Sequence, residues 1–104
     1  RIDNESAKGV LGRVVVGKRD GARNFYMRVF EISTGGNTPM HAHAWEHEML
    51  IHSGEGEIFG NGKWNPVRPG GIIFVPPDET HQIRNRGTDP LVFACLIPAE
   101  APEL

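Results

Sequence analysis

Apolar residues in this chain fall mostly in short runs that alternate with polar ones, the two-residue period of a half-buried strand. Residues 25–32 read FYMRVFEI and are closed by Ser33-Thr34-Gly35-Gly36. Further β-branched or aromatic segments lie at 13–16, 49–51, 55–59, 64–68, 71–75, 81–84 and 91–97. Turn residues divide them: Ser53-Gly54, Gly60-Asn61-Gly62-Lys63, Pro69-Gly70, Pro76-Pro77-Asp78 and Gly87-Thr88-Asp89-Pro90. Asn61-Gly62 in particular supplies the left-handed backbone that a tight hairpin needs. Thirteen glycines and eight prolines among 104 residues leave little room for a helix of ordinary length. The pattern predicts roughly eight to ten short strands in an all-β barrel or jelly roll with little or no helix. Residues 1–104 are expected to form a single domain. The closing AEAPEL reads as a frayed tail.

One stretch resists this period. HAHAWEHE, residues 41–48, contains H-x-x-E-H at His43, Glu46 and His47, the helical zinc signature of the inverted zinc proteases. That reading needs a third ligand from another helix, and no segment of the chain predicts one. Flanking strands and the confinement between Pro39 and Gly54 favour an extended backbone instead. On a strand, His41, His43 and His47 share one face, with Trp45, while Glu46, Glu48 and His52 turn to the other. Three inward imidazoles would each have to satisfy both ring nitrogens in a dry interior, which makes a metal the simpler explanation. His81, after a Pro-Pro turn, is the remaining histidine. Four neutral nitrogen donors suit Fe, Mn, Co, Ni, Cu or Zn, and spacing does not choose among them.

These residues resemble the cupin family. Gly35, His41, His43, His47 and Gly54 match its first motif, with His47 where most members carry Glu; Gly70, Pro76, His81 and Asn85 match its second, with Asp78 replacing the middle Gly. The chain is similar to small single-domain cupins, a double-stranded β-helix of the jelly-roll type, and in particular to the four-histidine manganese cupins of thermophilic bacteria. That resemblance implies His41, His43, His47 and His81 as ligands of one divalent metal, Mn(II) first and Fe(II) next. It implies metal-dependent oxidoreductase chemistry of the dioxygenase type on a small organic molecule. A Lewis-acid isomerase or lyase acting on a sugar or keto acid, and a non-catalytic ligand-binding module, are the alternatives. It also nominates Arg28, Phe93 and Cys95 as cavity residues, Arg28 to neutralise an anionic substrate and Phe93 to gate its size. Ile97 is a further wall candidate, and an ion pair with Glu31, Glu46 or another acid is the competing role for Arg28.

Charge narrows the partners. A net charge of −2 with mixed signs leaves no basic stripe for nucleic acid and no polybasic membrane anchor. No apolar run approaches a membrane span. Cys95 is the single cysteine, which excludes an internal disulfide and fits a reducing, cytoplasmic setting. Unpaired strand edges, and the habit of small cupins, predict a homodimer.

Overall fold

Eight strands carry the alternating segments in the computed structural model, which describes residues 7–102. They are β1 (Lys8–Val16), β2 (Phe25–Asn37), β3 (His47–Ser53), β4 (Gly56–Gly60), β5 (Lys63–Val67), β6 (Ile72–Val75), β7 (Gln82–Arg84) and β8 (Leu91–Pro98), with one 3-10 turn at Lys18–Asp20. They form one curled sheet in the order β5-β4-β7-β2-β8-β3-β6, with β1 paired to β2. All the ladders are antiparallel.

β2 extends past the predicted end at Ile32 because Gly35 adopts φ 81, a left-handed bend inside the strand. Its first part pairs with β8 from Phe25↔Pro98 to Ile32↔Leu91, and its end reaches β7 through Asn37↔Arg84. One bent strand therefore joins the two halves of the sheet. The predicted hairpin joins β4 and β5, where Asn61 and Gly62 have φ 53 and 75.

The inner face carries the apolar core. Leu91, Phe93, Cys95 and Ile97 alternate inward on β8, and Met49 and Ile51 on β3 meet them. Each large apolar side chain buried here stabilises the fold by roughly 1.5–3 kcal/mol. Residues 99–101 of the expected tail join this core. Ala101 is only 5 % exposed, and its N–H donates to the Pro98 carbonyl at 3.0 Å. Residues 103–104 of the expected tail lie outside the described residues.

Candidate metal centre

The strand expected across residues 41–47 begins only at its last residue, His47. Residues 42–46 are irregular, and His41 is held by an isolated antiparallel bridge to His81. The His41 N–H donates to the His81 carbonyl at 3.1 Å, and the His81 N–H returns a bond at 2.9 Å. The Asp78 N–H donates to the His43 carbonyl at 2.7 Å, pinning the two loops together. Asp78 has φ 65, a left-handed conformation that short polar residues tolerate, which is why it can stand in a glycine position. Strand parity is therefore not what gathers His41 and His43. The crossing of two loops does that.

One nitrogen from each of His41, His43 and His81 lies within 4.8 Å of the others. Nδ1 of His43 faces the Trp45 carbonyl at 2.8 Å, and Nδ1 of His81 faces the Glu79 carbonyl at 2.9 Å. A carbonyl only accepts, so both rings carry hydrogen on Nδ1 and leave a lone pair on Nε2. Trp45 also stacks on His43, with centroids 4.3 Å apart and planes at 8°. His47 adjoins the trio: its ring is 4.6 Å from His43 and 5.2 Å from His81, and its Nε2 is 2.8 Å from His43 Nε2.

Burial, then the neighbouring His81, lowers the His41 pKa from 6.5 to about 4. Burial and then the Arg28 charge lower His47 from 6.5 to about 3. His81 is also lowered, chiefly by burial, against the opposing hydrogen bond to Glu79. These imidazoles are neutral at pH 7, the form that binds metal. Donors bound at about 2.1 Å to one ion sit no more than about 4.2 Å apart. The three-histidine cluster thus fits a divalent metal after small side-chain shifts.

Beside it lies a cavity of about 290 Å³. Register builds its wall, because Arg28 on β2 lies opposite Cys95 on β8, which lies opposite Met49 on β3. Phe30 and Phe93 are likewise paired across β2 and β8, and their rings stack at 5.5 Å. Arg28, Phe93 and Cys95 all line the cavity as expected; Ile97 is buried but does not reach it. Trp45, Met49 and Ile83 line it too, as do Ala7 and Pro102 from opposite ends of the chain. Met49 shares the alternation of His47, which would have flagged it. Nothing in the period announces Ala7 or Pro102.

Arg28 is 8 % exposed and pairs with no acid among the described residues, so the alternative ion pair with Glu31 or Glu46 is not formed. One guanidinium nitrogen donates to Cys95 Sγ at 3.1 Å and lies 3.3 Å from His47 Nδ1. Its carbon sits 4.9 Å above Phe30, and its Nε has no hydrogen-bond partner among the described residues. Burial raises the Cys95 pKa, partly opposed by Arg28. Asn85 and Gln82 hold backbone instead of the site: Asn85 donates to the Ile32 and Asp89 carbonyls at 2.9 and 2.8 Å, and Gln82 to the Thr38 carbonyl at 2.9 Å. Glu46, Glu48 and His52 are exposed.

The family model described as the cupin domain matches residues 28–97. This chain is a cupin. It is similar to the polyketide cyclase RemF from Streptomyces resistomycificus, with a TM-score of 0.89 and 32% identity over 97% of this chain and 72% of that one. It is also similar to a predicted oxalate decarboxylase from Thermotoga maritima, with a TM-score of 0.81 and 26% identity over 89% of this cupin and 84% of that chain. Among curated proteins, the glucose-6-phosphate isomerase of Thermococcus onnurineus is 40% identical over 53 residues. That match spans 51% of the cupin but only 26% of the isomerase. No described helix is long and apolar enough to cross a membrane.

Proposed function

We propose that His41, His43, His47 and His81 together hold one divalent transition metal, Mn(II) in preference to Fe(II), and that this cupin oxidises a small organic anion with dioxygen. The observation that carries the reading is Arg28, a buried guanidinium facing a cavity without a single carboxylate among its described lining residues. Arginine cannot shed its charge, and a buried charge without a counter-ion is a cost that a bound anion would offset. When bound, the metal supplies Lewis acidity and one-electron redox chemistry. Arg28 binds the anionic end of the substrate, while Phe30, Phe93, Met49 and Ile83 receive an apolar or aromatic body and exclude water. His41, His47 and His81 stay neutral, and His43 and His81, whose Nδ1 faces a backbone carbonyl, leave Nε2 to bind the metal.

Redox-neutral Lewis-acid chemistry is the second reading, favoured by the likeness to a polyketide cyclase over nearly the whole chain. A sugar-phosphate substrate suits the wall less well, since Thr38 supplies the one hydroxyl among its described residues. Oxygen uptake by metal-loaded protein with β-diketones and catechols tests the proposal. Turnover that continues unchanged without oxygen favours the second reading, and tight ligand binding without turnover favours a binding module. His81→Ala is expected to abolish turnover and lower metal stoichiometry while far-ultraviolet circular dichroism stays β-rich, because most burial lies in the sheet.

A homodimer in the cytoplasm completes the proposal. Its support is an apolar patch on the outer sheet face, where Leu50 on β3 lies opposite Ile72 on β6, with exposed Phe74 alongside.

A further inference from the structure

The four imidazoles do not have equivalent supports. His43 and His81 give their Nδ1 hydrogen to backbone carbonyls, at 2.8 and 2.9 Å, which presets Nε2 as the ligand atom. Among the described residues, no carbonyl faces His47 Nδ1. Its neighbours there are the Arg28 guanidinium at 3.3 Å, always a donor, and Cys95 Sγ at 3.1 Å. Its Nε2 lies 2.8 Å from His43 Nε2, which is already a lone pair. The consistent assignment without metal puts hydrogen on His47 Nε2, donated to His43, and leaves Nδ1 to accept from Arg28. Ligation through Nε2 demands the opposite tautomer. The Nε2 hydrogen leaves to solvent and one from solvent arrives on Nδ1, with no net change in charge. That new N–H faces a guanidinium N–H, and among the described residues the sulfur is the one acceptor within reach.

We propose that Cys95 is a positioning residue whose sulfur accepts the Nδ1 hydrogen of His47 and so selects the tautomer that makes His47 a metal ligand. The sulfur is suited to the task. Its own hydrogen is directed at the Leu96 carbonyl, 4.0 Å away, which leaves lone pairs for Arg28 and His47 together. The β2–β8 register sets Cys95 against Arg28, and the β8–β3 register sets it diagonal to His47, so the triangle is built into the sheet. This inference rests on the four-imidazole reading of the site.

Titrating the protein with Co(II), followed by its visible absorption, tests it. Cys95→Ala and the closer-fitting Cys95→Val remove the acceptor and are expected to weaken Co(II) binding by about ten- to a hundredfold. Cys95→Ser, which restores an acceptor, is expected to recover most of that loss and the wild-type absorption spectrum. A packing role predicts the reverse order, with valine best and buried serine worst. Wild-type affinity in both Cys95→Ala and Cys95→Val, or serine weaker than alanine, overturns the proposal. Co(II) binding that His47→Ala leaves untouched overturns the four-imidazole reading instead. Circular dichroism on each variant confirms that the fold is retained.

Discussion

Arg28 decides more about this protein than any single histidine. Its charge is enclosed with sulfur, imidazole and an aromatic face for partners, and its Nε has none among the described residues. Replacing such a group with an apolar residue of similar length relieves desolvation. Arg28→Met is therefore expected to raise the thermal midpoint while weakening benzoate binding by about 2 kcal/mol, roughly thirtyfold; calorimetry measures both. The histidines set a pH dependence of definite sign. His41 and His47 titrate near 6.5 when unfolded but at about 4 and about 3 when folded. Between those values the unfolded chain binds more protons than the folded one, so stability falls as pH drops. Above 6.5 their contribution is complete. The midpoint of metal-free protein is expected to fall steadily from pH 6.5 toward pH 4, and His47→Phe to flatten that slope; a level profile in the wild type counts against the burial of these rings.

At the scale of elements, the site depends on turns that hold left-handed backbone. Gly54 follows β3 with φ 81, and a Cβ there would overlap the Pro90 carbonyl in the turn that enters β8. Gly54→Ala is expected to cost about 3 kcal/mol in urea unfolding, from both the backbone conformation and the displaced turn. Strand content was largely legible, because alternation and Gly/Pro punctuation are local properties. β2 ran past its predicted stop because Gly35 acts as a bend inside a ladder, and local sequence does not separate a bend from an end. The histidine stretch departs from the expected strand for a related reason. Alternation from His41 to His47 imitates a strand, yet residues 42–46 loop away and are held by His81 and Asp78, more than thirty residues further along.

Over the whole molecule, the curled sheet divides its faces by task. The concave side holds the imidazoles, Arg28 and the aromatic pair; the convex side leaves Ile72 74 % and Phe74 56 % exposed on β6, a terminal strand of the sheet. Covering these by a second copy is the simplest use of them. Light scattering is expected to give a dimer mass for the wild type and a monomer mass for the Ile72→Lys, Phe74→Glu double variant; equal dimer masses point to another surface, and a monomer mass for the wild type overturns the dimer.

Taken alone, the sequence determined that the chain is a strand-rich cupin with a histidine cluster, since period, turn residues and motif spacing are written in neighbouring positions. It also nominated Arg28, Phe93 and Cys95 for the cavity, through resemblance. Only the tertiary structure decided that Arg28 stands without an acid among the described residues, that Cys95 touches both Arg28 and His47, and that Ala7 and Pro102 line the same cavity. Those facts depend on which strand lies beside which and in what register, and register is a property of pairs of segments distant in the chain.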